Sequence, residues 1–123
     1  MGLKYTKEHE WVRVEGDVAV CGISAYAAEQ LGDIVYVELP NEGRAVKKDG
    51  EMAVVESAKA ASDVYAPISG TVVAVNATLG ENPALVNESA EDKGWMVKLR
   101  VSDPNQLSEL MDEGDYKEFL GSL

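Results

Sequence analysis

The chain has 123 residues, 46% of them apolar, enough for one packed core and too few for two ordinary domains. Eleven basic side chains against 22 acidic ones leave a net charge of −11, which repels phosphate backbones and anionic headgroups and argues against nucleic acid or a membrane surface as partner. The lone cysteine, Cys21, and lone histidine, His9, exclude an intrachain disulfide, a cysteine zinc cluster and a multi-histidine metal site.

The opening Met1-Gly2-Leu3-Lys4-Tyr5-Thr6 has no apolar stretch after its charge and does not read as a signal peptide. It fits a loose myristoylation pattern that matches often by chance, and no basic cluster supports it. No apolar run approaches the roughly 18 residues of a membrane span. A soluble, cytoplasmic protein in a reducing compartment is expected. Strand-like alternation begins at Trp11-Val12-Arg13-Val14 and Val18-Ala19-Val20-Cys21, with Glu15-Gly16-Asp17 as the turn between them. Ser24 is placed to cap a short helix through Leu31, ended by Gly32. Strands resume at Ile34–Leu39, Thr71–Val75 and Trp95–Val101, punctuated by Pro40-Asn41-Glu42-Gly43, Lys48-Asp49-Gly50 and Pro67-Ile68-Ser69-Gly70. The runs opening at Gly50 and Gly70 echo each other faintly, as two similar β units would. Asp103 caps a second predicted helix, with Pro104 in its first position and Gln106 placed to complete a capping box; Leu107, Leu110 and Met111 share its apolar face. After Gly114, Tyr116, Phe119 and Leu120 mark a last short helix. Many short strands at close intervals predict a mainly β sandwich or barrel rather than a parallel α/β sheet.

Catalytic motifs are missing. The chain contains no G-x-S-x-G, no Walker loop and no G-x-G-x-x-G. Cys21 lies inside an apolar strand, where a buried, inert thiol is expected. His9 is expected to be an exposed histidine in an acidic patch, its pKa raised by Glu8 and Glu10. The many carboxylates nominate no particular acid–base pair. A chain without its own catalytic set is better suited to carrying a group or binding a partner. The segment Glu56-Ser57-Ala58-Lys59-Ala60-Ala61-Ser62-Asp63 is the informative one. Its alanines favour helix, but the apolar run Met52–Val55 before it and Val64-Tyr65-Ala66-Pro67 after it predict a hairpin. That hairpin places Lys59 near its tip among small side chains, where a modifying enzyme can acylate the amine.

Taken together, these segments resemble the H protein family of the glycine cleavage system, a family of lipoyl carriers. The resemblance runs in order through Tyr5–Val12, Gly22-Ile23-Ser24, Glu29–Pro40, Val55–Asp63, Ala66–Gly70, Leu85-Val86-Asn87, Gly94-Trp95 and the tail from Ser102 to Leu120. Ala58 stands where the family often has valine, and Glu88–Lys93 replaces a loop in which the family often has a Pro-Tyr pair. The resemblance implies a lipoyl-domain-like barrel-sandwich hybrid of two antiparallel sheets, with a short helix in the N-terminal half and C-terminal helices. It implies one carrier domain over residues 1–123, with a helical extension over about 103–120. It also implies lipoate joined by an amide to Lys59, flanked by Glu56, Ser57, Ala58 and Ala60. The group would visit a pyridoxal-phosphate glycine decarboxylase, a tetrahydrofolate-dependent aminomethyltransferase and a flavin-dependent dihydrolipoamide dehydrogenase, after loading by a lipoate-attaching enzyme. The family folds its loaded arm into a cleft, and the matching positions here are Glu10, Gln30 and Asp63. Glu10 is suited to pair with the primary ammonium of the cargo. The chain would then be a non-catalytic carrier, the chemistry residing in its partners. Three rivals stand beside this expectation. A biotinyl carrier usually sets its lysine between methionines. A lipoyl domain of a 2-oxo acid dehydrogenase leaves His9-Glu10-Trp11 and the C-terminal helices without explanation. An unmodified scaffold, or one relaying lipoyl groups, is the third.

Overall fold

Each alternating apolar run becomes a strand in the computed structural model, which describes residues 3–123. Met1 and Gly2, the start of the acylation-like pattern, lie outside the described residues. In chain order the elements are β1 (Lys4–Tyr5), β2 (Glu10–Glu15), β3 (Val18–Ile23), α1 (Ala25–Leu31), β4 (Ile34–Glu38), β5 (Ala45–Val46), β6 (Glu51–Ser57) and β7 (Ala61–Tyr65). There follow β8 (Gly70–Val75), α2 (Thr78–Glu81), α3 (Leu85–Ser89), β9 (Val97–Val101), a 3-10 helix (Pro104–Glu109) and α4 (Glu113–Gly121). One sheet has the order β1-β2-β3-β9-β8-β5 and the other β4-β6-β7, with every pairing antiparallel. The two echoing runs, β6 and β8, fall in different sheets.

Side-chain alternation explains how the layers meet. Val12 pairs with Cys21 and Val14 with Ala19, so one face of the β2–β3 ribbon turns Val12, Ala19 and Cys21 inward. There they join Val72, Val97 and Leu99 of their own sheet and Ile34, Val37, Val55 and Val64 of the other. Each fully buried Val or Leu contributes about 1.5–3 kcal/mol. The opposite face of the ribbon carries Trp11 and Val20, and it is not left to water. Tyr5 and Tyr116 bury against them, and Met111, Phe119 and Leu120 pack around this second, smaller core. The last helix therefore closes the outer face of the sheet. Gly22 faces Trp11 across the ribbon. A Cβ there would stand 2.9 Å from the indole nitrogen, so the close fit of strand and ring needs glycine.

Several expectations need correction. The segment after Asp103 is a 3-10 helix, and Gln106 makes no capping box. Its amide instead brackets Ser69, accepting from the Ser69 N–H at 2.6 Å and donating to Ser69 Oγ at 3.1 Å. The last helix starts at Glu113 rather than after Gly114, because Asp112 caps it by accepting from the Asp115 amide at 2.8 Å. Helices α2 and α3 and strands β1 and β5 carried no periodic signal strong enough to predict. No helix among the described residues is long and apolar enough to cross a membrane.

Candidate functional site

The hairpin of β6 and β7 turns over at Ala58-Lys59-Ala60, and all three residues are exposed. Ser57 closes the turn. Its N–H donates to Ala60 O at 2.8 Å, and its hydroxyl accepts the amides of Lys59 (3.2 Å) and Ala60 (3.1 Å). Those bonds satisfy the tip without a helix, which is why the alanines do not prevail. Pairing of Val54 with Asp63 and Val55 with Ser62 holds the stem. The tip also rests on the turn after α1: Ala58 N donates to Asp33 O at 3.1 Å. The alkyl stem and amine of Lys59 pass within 4 Å of where a Cβ on Gly32 would sit. Gly32 has φ +82, a left-handed conformation that a side chain disfavours. Asn87, from α3, secures this turn from both ends. Its Nδ2 donates to Gly32 O and its Oδ1 accepts from Ile34 N, both at 2.8 Å.

Beside the hairpin lies a cleft of about 490 Å³ between β2, α1, β6 and β7. Ile23, Leu31, Val55 and Val64 give it apolar walls, and Glu10, Gln30 and Asp63 all line it. Gln30 and Asp63 are exposed, whereas Glu10 is only 3% exposed. Both oxygens of the Glu10 carboxyl are held. Oε1 accepts the Thr6 hydroxyl at 2.7 Å, and Oε2 accepts the Tyr65 amide at 3.2 Å. Burial pushes Glu10 up to about 7, against the lowering pull of these two hydrogen bonds. The cleft thus has a carboxyl poised between its charged and neutral forms at neutral pH.

His9 departs from expectation. It is half-buried, and desolvation lowers its pKa, outweighing the raising influence of Glu8. It lines the cleft with φ 70, uncommon for a residue other than glycine. Its Nδ1 lies 2.8 Å from the Tyr116 hydroxyl, which lies 2.7 Å from Ser24 Oγ. Cys21 is buried, and desolvation raises its thiol pKa far above the ordinary value. Glu56 is exposed on the hairpin stem.

The geometry brings together the Lys59 hairpin and a cleft lined by Glu10, Gln30 and Asp63. Sequence reasoning missed four supporting residues. Thr6 organises the turn before Glu10, its hydroxyl accepting the amides of Glu8 (3.2 Å) and Glu10 (3.1 Å). Glu91 accepts the Tyr5 hydroxyl at 2.7 Å and the Ala25 amide at 2.8 Å, so the turn that follows α3 braces the start of α1. Asn87 and Tyr116 complete the set. Thr6, Asn87 and Tyr116 stand in matching stretches and Glu91 in the segment that departs from the family pattern, but none of the four carried a role at the site in the sequence reading.

Comparison with known proteins places the chain in a family. The family model for the glycine cleavage H-protein matches residues 3–122. The glycine cleavage system H protein of Xanthobacter autotrophicus is 62% identical, covering 98% of this chain and 97% of its own length. That of Thermotoga maritima is 53% identical, over 94% of each. The crystal structure of the H protein from Mycobacterium marinum superposes with a TM-score of 0.89 at 32% identity, covering 98% of this chain and 97% of that one. The fold is accordingly a mainly β barrel-sandwich hybrid of two antiparallel sheets with several helices. The chain belongs to the glycine cleavage H-protein family and has its role as a component of that system.

Proposed function

We propose that this chain is a cytoplasmic, non-catalytic lipoyl carrier, that Lys59 is its attachment site, and that residues 1–123 act as one carrier unit. One observation supports this above the others: Lys59 stands exposed on a turn, on the same hairpin that supplies Val55, Asp63 and Val64 to the cleft. The residues present fit a lipoyl group. The amine belongs to neither a helix nor a strand ladder and forms no ion pair among the described residues. Its stem lies against glycine rather than a bulky side chain. Held by Lys59 beside this cleft, the group would supply a redox-active disulfide able to carry an aminomethyl unit between glycine decarboxylase and the aminomethyltransferase, with dihydrolipoamide dehydrogenase as its oxidising partner.

The protein's own residues have three tasks. Ser57 holds the tip open for the lipoate-attaching enzyme and for each partner in turn. Ile23, Leu31, Val55 and Val64 offer an apolar bed that keeps water from the carried unit. Glu10, with Asp63 and Gln30 at the rim, receives the ammonium of the cargo. An ammonium beside Glu10 draws its carboxyl into the charged form, so binding and ionisation reinforce each other. Intact mass measurement of chain produced with lipoate and a competent ligase tests the assignment. A lipoyl increment that Lys59→Arg abolishes is the expected result. A biotin increment would redirect the reading, and an unchanged mass would leave an unmodified scaffold.

A further inference from the structure

We infer that Tyr116, on the C-terminal helix, is a positioning residue that fixes His9 in the cleft as a neutral imidazole carrying its proton on Nε2. The inference rests on the reading of that cleft as the seat of an ammonium cargo. It follows from tracing where each hydroxyl proton goes.

Ser24 is completely buried, and its Oγ accepts the Ala27 amide at 3.2 Å as the cap of α1. Among the described residues its one other partner is the Tyr116 hydroxyl, 2.7 Å away. The Ser24 proton must point there, because a buried hydroxyl proton without an acceptor is costly. Tyr116 Oη, having accepted, donates its own proton to His9 Nδ1 at 2.8 Å. Nδ1 is then an acceptor, so the neutral ring holds its hydrogen on Nε2. Reversing the chain, as a protonated His9 requires, strands the Ser24 proton in the interior. The backbone closes the same circuit, since Ser24 N donates to His9 O at 2.8 Å. The Tyr116 ring is clamped in turn by Tyr5, stacked on it at 4.2 Å and 2°.

Neutrality matters to the cargo. His9 and Glu10 are consecutive and line one cleft, so an imidazolium there would compete with a carried ammonium for the Glu10 carboxyl. The remaining titratable groups of the wall are the carboxyls of Glu8 and Asp63 and the phenols of Tyr26 and Tyr65, none of them cationic. With His9 neutral, the positive charge arriving on the arm meets no rival.

Because His9 is the single histidine, two-bond proton–nitrogen correlation spectra of the 15N-labelled full chain report on it alone. The expected spectrum is that of the Nε2–H tautomer. Tyr116→Phe, which keeps the stacked ring, should move it towards a mixture with Nδ1–H. An Nδ1–H wild type, or a variant spectrum identical to wild type, overturns the inference. A second arm follows loss of the aminomethyl cargo from lipoylated chain. Tyr116→Phe should speed it roughly fivefold, with Glu10→Gln run alongside. Acceleration in Glu10→Gln but not in Tyr116→Phe overturns the positioning role while the cleft reading stands. Acceleration in neither overturns both.

Discussion

Glu10 is buried yet held by two donors, and the two circumstances pull its carboxyl in opposite directions. Burial is the larger and carries it from 4.5 to about 7. Between those values the folded chain holds a proton that the unfolded chain has already released. Its contribution to stability is therefore greatest at acid pH and falls as pH rises from about 4.5 to about 7, by at most about 3 kcal/mol. His9 acts oppositely. With its folded pKa below 6.5, its contribution is present above that pH and is lost as pH falls. Denaturant unfolding of Glu10→Gln against wild type, pH by pH, isolates the first effect: the difference curve should slope between pH 4.5 and 7 and be flat above. A flat difference throughout would mean that Glu10 is not desolvated. At this scale the sequence pointed to residues that the fold gathers along one cleft, and not to how they behave. Glu10 and Asp63 were legible through their place in the matching stretches. The environment of His9 was not, because the tyrosine that takes its Nδ1 lies 107 positions along the chain.

The Lys59 hairpin is seated by other elements. Asn87 is the clearest case, reaching from α3 to both ends of the Gly32–Ile34 turn, on which the hairpin tip leans through Ala58. Asn87→Ala removes two bonds and should cost about 1–3 kcal/mol in denaturant unfolding. Hydrogen exchange should quicken at the Ile34 and Ala58 amides while Val55, in the core of β6, stays protected. Uniform quickening would show that Asn87 supports the whole fold rather than this seat. The strands were legible because alternation is local and repeats within a few residues. The hairpin was legible because two apolar runs flank a short span of small side chains. Helices α2 and α3 were not, since each runs for about one turn, too short for a 3.6-residue period to declare itself. Gln106 shows the same limit from the other side: its spacing fitted a capping box, but a distant serine offered a better partner.

The whole molecule carries a net charge of −11, and on the proposed reading acylation of Lys59 would remove a further positive charge. A carrier that must reach several enzymes and leave each quickly gains from long-range attraction, which speeds encounter more than it strengthens the complex. Raising ionic strength from about 0.01 M to about 0.1 M shortens the screening length from about 30 Å to about 10 Å. Glycine cleavage flux measured at limiting carrier should fall severalfold over that range, and a salt-independent flux would argue against electrostatic steering. The buried thiol of Cys21 has a consequence at the same scale. A protein that ferries a reactive dithiol through repeated oxidation and reduction risks being attacked by its own passenger. Here the only native sulfhydryl sits between the sheets, shielded and held in its unreactive protonated form. On the proposed reading, redox traffic stays confined to the arm, and the body emerges from each round free of self-made crosslinks and ready to be used again.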